Sequence, residues 1–244
     1  MKALIFCAGL GQRMRPLTDT TPKPLLEAGG APLVVWHLRK LAAMGITEVV
    51  INLSWLAERF PQVLGDGSAF GVHIAWSCEG AVPLETGGGM LQALPLLGNA
   101  PFLAINGDVW TDLDFSTLPR EPTGDAHLVM IDNPPHHPRG DFHFDQAGLL
   151  QPRSDSAANF TYSGIGVYRP SVLRDWHKVF ESSTSPGLDG QPPRFPLAPL
   201  LRAAMRRKAV SGQRHHGRWT DVGTPQRLAE LDAQLAAEPG HGAD

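Results

Sequence analysis

A short apolar run, Ala3-Leu4-Ile5-Phe6-Cys7, stops abruptly at Ala8-Gly9-Leu10-Gly11-Gln12-Arg13. This junction constrains the fold more than any other stretch. The run has the length and character of a buried strand, and the glycines that follow form a loop at its carboxyl end. Glycine permits positive φ and close approach of a ligand to the main chain. Such a turn gathers several N–H groups around one concavity, which suits phosphate oxygens. Arg13, and Arg15 beside it, add fixed positive charge. Lys23 follows between Pro22 and Pro24, whose restricted backbone aims the ammonium. The commoner glycine-rich loops do not fit. Met14 stands where a dinucleotide-binding loop needs its third glycine, which argues against a Rossmann dehydrogenase, and no Gly-Lys-Ser/Thr follows as a P-loop requires. The fragment Gly-x-Gly-x-Arg alone fits a tight turn with a surface arginine equally well.

Strand and helix patterns alternate after this loop. Leu33, Trp36, Leu38, Leu41 and Met44 give an apolar helix face that ends at Gly45. Residues 48–53 read as a strand, 55–64 as a helix shortened by Pro61, and 72–76 as a strand. A helix is expected over 90–97, after Gly87-Gly88-Gly89, and the most apolar strand over 102–105. Later strands are expected at 127–131, 161–168 and 210–213, with a short hairpin at 142–151. Helices are expected at 197–208 and 226–236. Such alternation implies parallel βαβ units, and so an α/β fold with a Rossmann-like, open, mostly parallel mixed sheet flanked by helices. The length of 244 residues allows one domain, placed at 1–236. The Ser/Gly/Pro-rich stretch 182–193 reads as a mobile loop and 237–244 as a disordered tail. There is no hexapeptide series, so no β-helix domain is expected.

Composition excludes several function classes. A net charge of -3 leaves no nucleic-acid footprint. No stretch has the ~20 apolar residues of a membrane span, and the N-terminus lacks the layout of a signal peptide. Cys7 and Cys78 have no metal-ligand spacing, so a reducing cytoplasm is the expected setting. His136 and His137 invite a zinc reading, but sequence neighbours rarely face one ion and no third ligand is evident. Asp112 and Asp114 lack the spacing of a calcium loop and read as capping and surface residues.

The chemistry-bearing positions lie at strand ends. Gly87, Gly88 and Gly89 precede a helix and follow a strand, which suits backbone contacts to a ligand. Asp108, in Asn106-Gly107-Asp108, closes the most apolar strand, where open α/β sheets place their ligands. A turn aspartate after Asn-Gly is the alternative at that point.

Taken together, Gly-x-Gly-x-Arg-Met-x-Pro-Leu-Thr…Pro-Lys-Pro-Leu, Asn-Gly-Asp and Trp219-Thr220-Asp221-Val222-Gly223-Thr224-Pro225 resemble the signature of the sugar-1-phosphate nucleotidylyltransferases. The resemblance runs from about Met1 to Leu235 and implies the nucleotide-diphospho-sugar transferase type of fold. It implies that Ala8, Gly9, Gly11, Gln12, Arg13, Lys23, Thr86, Gly87, Gly88 and Asp108 bind the nucleotide, with Arg13 and Lys23 serving catalysis. It assigns Asn106, Gly140, Asn159 and Gly164 to the sugar, and Asp108 and Asp221 to a bound Mg²⁺. The strings Pro-Leu-Glu-Thr-Gly-Gly-Gly, Asn-Gly-Asp-Val-Trp-Thr-Asp and Asp-Asn-Pro-Pro-His-His-Pro-Arg-Gly-Asp-Phe are most similar to a bacterial branch that uridylylates N-acetylmuramate α-1-phosphate in cell-wall recycling. That branch implies UTP and a sugar 1-phosphate as partners. Arg139, His136, His137 and the amides around Gly140 are then candidates for the lactyl carboxylate. Branches using mannose-, heptose- or glucose-1-phosphate are the near alternatives. A non-catalytic relative is the distant one, and it should have lost Lys23 or an aspartate; all three are present.

Overall fold

A computed structural model describes residues 1–180 and 192–238. Most of the expected mobile loop at 182–193, and the tail beyond Glu238, therefore lie outside the described residues. The strands are β1 (Lys2–Phe6), β2 (Glu27–Ala28), β3 (Ala31–Pro32), β4 (Glu48–Leu53), β5 (His73–Cys78), β6 (Phe102–Asn106), β7 (Val109–Thr111), β8 (Ala126–Ile131), β9 (Phe142–Phe144), β10 (Leu150–Pro152), β11 (Asn159–Tyr168), β12 (Val210–Arg214) and β13 (Trp219–Asp221). The helices are α1 (Leu33–Ala43), α2 (Arg59–Leu64), α3 (Glu85–Leu97), α4 (Trp176–Phe180), α5 (Ala198–Arg206) and α6 (Pro225–Ala236).

The main sheet runs β5-β4-β1-β6-β11-β8-β12, and β9 and β10 continue from the start of β11. The pairs β5–β4, β4–β1 and β1–β6 are parallel, β11 is antiparallel to β6 and β8, and β12 is parallel to β8. The sheet is thus mixed, as expected. Alternate residues feed two cores. Ala3, Ile5, Val49, Ile51, Leu103 and Ile105 face one side with the apolar residues of α1. Leu4, Val50, Phe102, Ala104, Leu128 and Met130 face the other with α3 and α5. Because both faces are covered, β1 and β6 carry unbroken apolar runs rather than alternating ones. A third cluster of Leu26, Leu33, Trp110, Val222, Leu231 and Leu235 seats α6 beside the small β2–β3 and β7–β13 ribbons.

Two helix boundaries differ from the sequence reading. Only residues 59–64 of the expected 55–64 helix are helical, with Pro61 in the first turn, where its missing N–H costs nothing. Helix α3 begins at Glu85 rather than Met90, so the three glycines lie inside its first turns instead of in a loop before it.

The order of strands places a switch point between β1 and β6. The chain leaves β1 toward β4 and β5, then returns to the opposite flank of β1 as β6. The loops leaving these two carboxyl ends diverge, and a crevice opens between them.

Candidate active site

The crevice is a cleft of about 810 Å³. Of the expected nucleotide residues, Ala8, Gly9, Gly11, Gln12, Arg13, Lys23, Thr86 and Asp108 line it, together with Asn106. The first wall is the loop after β1. Gly11 has φ 63°, and a Cβ there would lie 2.8 Å from Thr18 Cγ2, so only glycine fits. The Thr18 hydroxyl donates to the Gly11 carbonyl at 2.9 Å and fixes the turn. Gly9 differs: a Cβ there would meet nothing within 4 Å. Its missing side chain leaves room in the cleft rather than in the protein. The amides of Gly9, Leu10, Gly11 and Gln12 have no acceptor among the described residues. Arg13 is exposed on the same wall and has no ion-pair partner among the described residues. Free amides and a free guanidinium on one concave wall make a site for a polyanion.

Lys23 opens a tight turn closed by Leu25 N donating to Pro22 O at 2.8 Å. The turn carries its ammonium to Asp108 Oδ2 at 2.5 Å, with the lysine side chain 11% exposed and the aspartate 33%. Asp108 lies between β6 and β7. Strand β7 pairs antiparallel with β13, with Val109 opposite Asp221, and Val222 N donates to the Asp108 carbonyl at 2.8 Å. This ribbon makes the backbones of residues 108–109 and 221–222 neighbours across the length of the chain. The Asp221 carboxylate accepts from Arg227 Nη1 and lies 3.0 Å from His136 Nε2. Arg227 sits in the first turn of α6, where its N–H donates to the Thr224 cap. His37, buried on α1, holds the ribbon from behind with Nε2 2.7 Å from the Val109 carbonyl. Burial pushes its pKa down to about 4, so it is neutral at pH 7 and Nε2 carries the hydrogen.

The residues fit a hard divalent cation. Asp108 and Asp221 are oxygen donors, partly exposed and held on adjacent strand ends. Among the described residues no group of three or more His, Cys, Asp or Glu side chains is gathered around one point, so protein ligands alone do not complete a metal shell. Two carboxylates and open coordination positions suit Mg²⁺, which keeps waters and takes ligands from phosphates. His136 and His137 point to different carboxylates, Asp221 and Asp141 respectively.

Other expected contacts are placed differently. The amides of Gly87 and Gly88 both donate to the Phe195 carbonyl at 3.0 Å. A Cβ on Gly87 would lie 2.5 Å from the Phe195 ring, and one on Gly88 would overlap the Pro193 carbonyl. These glycines admit the 193–195 segment against α3 and do not offer free amides to a base. The Thr86 hydroxyl, which also borders the cleft, accepts from Leu197 N at 3.0 Å. On the sugar side, Gly164 presses against Asn106: a Cβ there would lie 2.6 Å from Asn106 Nδ2. Gly140 is buried in its loop, its amide turned to His137 O at 3.3 Å. Asn159 is engaged by Ser154 N, Ser154 O and Ala157 O, so its side chain caps a local turn rather than reaching the cleft. Sequence reasoning missed Asn52, Glu79, His37 and Arg227. Only His37 left a signal, at the buried helical spacing of Leu33 and Leu41.

The Nucleotidyl transferase family model matches residues 2–238. The chain belongs to this family. An N-acetylmuramate alpha-1-phosphate uridylyltransferase of Neisseria meningitidis serogroup B is 48% identical, over 97% of this chain and 99% of that protein. A protein of the same description from Caulobacter vibrioides is 30% identical over 96% of each. A crystal structure described as a putative glucose-1-phosphate thymidylyltransferase of Bacillus anthracis superposes with TM-score 0.79 at 19% identity, covering 98% of this chain and 96% of that one. The family's fold therefore extends over nearly the whole chain. No helix among the described residues is long and apolar enough to cross a membrane.

Proposed function

We propose that this protein transfers the uridylyl group of UTP to N-acetylmuramate α-1-phosphate, giving UDP-N-acetylmuramate and pyrophosphate. The observation that carries the reaction type is the convergence, on one crevice, of free loop amides, Arg13 and the Lys23–Asp108 pair, with Asp221 on the strand paired to β7. The substrate pair is supported by the neisserial relative, similar over almost its entire length.

An oxygen of the sugar phosphate attacks the α-phosphorus of UTP. A new Pα–O bond forms, the Pα–O bond to the β-phosphate breaks, and pyrophosphate leaves with the electron pair. The attacking phosphate is already ionised, so no covalent nucleophile is needed. The protein aligns two mutually repelling polyanions and stabilises the growing charge. The amides of residues 9–12 and Arg13 hold the triphosphate. Lys23, held in its turn, meets charge at the reacting phosphate. Asp108 and Asp221 would hold Mg²⁺, which would supply neutralisation of phosphate charge. Asn106, backed by Gly164, faces the sugar. His136 and Arg227 lie beside Asp221, and the lactyl carboxylate takes its donor from this side. The reaction belongs to cytoplasmic cell-wall recycling.

The test is pyrophosphate release over a grid of nucleoside triphosphates and sugar 1-phosphates. UTP with N-acetylmuramate α-1-phosphate should give the highest kcat/KM. Preference for GTP with a mannose- or heptose-type phosphate overturns the substrate pair and leaves the reaction class standing.

A further inference from the structure

Two buried polar side chains border the cleft without a part in the chemistry above. Asn52, at the end of β4, is 2% exposed, and Glu79, just beyond β5, is 7% exposed. They are bonded in series. Cys7 N donates to Asn52 Oδ1 at 2.7 Å, Asn52 Nδ2 donates to Glu79 Oε1 at 2.6 Å, and Leu84 N donates to Glu79 Oε2 at 2.7 Å. Cys7 opens the glycine loop after β1, and Leu84 opens α3 on the facing wall. A Cβ on Gly89 would overlap Glu79 Oε1 and lie 2.8 Å from Asn52 Nδ2, so α3 itself is seated on the pair.

The direction of this chain is fixed. A backbone N–H can only donate, so each end of the relay demands an acceptor. Asn52 must turn its oxygen to Cys7, and its amide nitrogen is then forced toward residue 79. Residue 79 must accept from both sides, which a carboxylate does and a neutral amide does not. Burial of such a carboxylate raises its pKa, yet both oxygens are met by donors. This explains why an acidic residue stands here rather than its amide.

We infer that Asn52 and Glu79 are positioning residues: a one-way relay that locks the glycine loop to the start of α3, so that the two walls hold their spacing before the nucleotide enters. The inference rests on the cleft being a nucleotide site. The relay touches no reacting atom. Its expected signature is loss of nucleotide affinity with little change in the KM of the sugar phosphate.

The chemistry supplies its own control. Glu79→Gln leaves one donor facing another, and Asn52→Asp sets two carboxylates against each other. Together they restore every partner with the central bond reversed: Gln donates to Asp, Gln accepts from Leu84 N, and Asp accepts from Cys7 N. The experiment measures UTP dissociation constants by calorimetry, both KM values, thermal midpoints, and hydrogen exchange at Cys7 and Leu84, for the wild type, both single variants and the double variant. Each single variant should weaken UTP binding by about tenfold or more, the effect of one unsatisfied buried polar group. Both should speed exchange at the two amides. The double variant should return to within about threefold of the wild type in both readouts. Single variants that lose thermal stability but bind UTP like the wild type would make the relay a packing device and overturn the inference. A double variant no better than the worse single variant overturns it too. If the wild type binds no nucleoside triphosphate, the functional reading fails, and with it the nucleotide role of the relay. The exchange data then report only whether the loops are coupled.

Discussion

Replacing Lys23 with methionine separates the pairing seen in the structure from the catalytic role proposed for the same ammonium. The ammonium pairs with Asp108 at 2.5 Å, and in the proposed reaction it meets phosphate. Methionine keeps most of the side-chain length and packing, so the change is chiefly one of charge. Exposed ion pairs contribute ~0–1 kcal/mol, while breaking a buried pair costs ~3–5 kcal/mol. With the lysine 11% and the aspartate 33% exposed, this pair lies between those limits after screening by solvent, at about 1–2 kcal/mol. The same interaction opposes binding of a divalent cation at Asp108. Removing it should tighten Mn²⁺ binding to the nucleotide-free protein by ~5- to 30-fold, read by calorimetry or by the EPR signal of free Mn²⁺. Turnover should move the other way. Loss of one charge-stabilising donor costs ~2–4 kcal/mol, so kcat/KM for pyrophosphate release should fall by ~30- to 800-fold. Lys23→Arg should rescue poorly, because a planar fork does not replace a compact ammonium in a nearly closed turn. Tighter metal binding with slower turnover is the signature. Turnover within threefold of the wild type, or weaker Mn²⁺ binding to the free protein, refutes the double role.

Other expected outcomes are narrower. Asp108→Asn and Asp221→Asn should each lower kcat by at least about 100-fold with the circular dichroism spectrum unchanged; near-normal turnover with Mg²⁺ removes the assignment of these carboxylates. Gly87→Ala should lower the unfolding free energy by ~1–3 kcal/mol, because its Cβ would meet the Phe195 ring at 2.5 Å, and denaturant titration reads this directly. His37 gives a pH signature. Its folded pKa, about 4, lies below the unfolded value near 6.5, so the unfolded chain takes up the proton first as pH falls. Its contribution is fully present above pH ~6.5 and is lost down to about pH 4, a difference of roughly 3 kcal/mol. His37→Gln keeps a donor for Val109 O and should flatten the stability profile in that window; an unchanged slope between pH 4.5 and 6.5 rules the histidine out as its source.

The parts of this structure that were legible in the sequence depend on local physics. Strands β1, β4 and β6 announce themselves because strands buried on both faces need unbroken apolar runs. Gly11, Lys23 and Asp108 were legible as motifs because turn geometry and strand-end position are encoded within a few residues. The start of α3 was not. A glycine run reads as a loop, and what makes it helical is the distant 193–195 segment packed against Gly87 and Gly88. Glu85, at the head of that helix, also takes a left-handed φ of 63°, which no propensity suggests for glutamate. Asn159 is expected to hold the sugar because it resembles a family sugar contact, yet its amide closes a turn back to Ser154. Asn52 and Glu79 are single polar residues at strand ends. Their meaning lies in a hydrogen-bond order that only the fold creates.

The pairing of charges in the cleft follows from one physical constraint. A site for a triphosphate, a second phosphate and a divalent cation must tolerate very different charge before and after loading. Carboxylates left without a cationic partner in a partly enclosed cleft would repel one another and carry an uncompensated desolvation cost. Here each aspartate has its own cationic partner, Lys23 for Asp108 and Arg227 for Asp221, and His136 lies 3.0 Å from Asp221 as well. These partners come from separate elements: the 23–25 turn, the first turn of α6 and the 132–141 loop. In the proposed reaction, carboxylates that turned to a cation would free each partner beside the incoming anions, so the same positive groups would serve the protein's carboxylates first and the phosphates afterwards. Arg13 and the loop amides line the cleft without such a partner among the described residues. On this argument, neutralising Arg13 should slow UTP association and steepen none of the metal dependence. Neutralising Arg227 should instead raise the Mg²⁺-free background of misplaced Asp221 and lower the apparent Mg²⁺ requirement. Arg13→Gln and Arg227→Gln, compared by stopped-flow UTP binding and by Mg²⁺ titration of turnover, distinguish the two; identical profiles for both variants would show that the cleft senses only net charge.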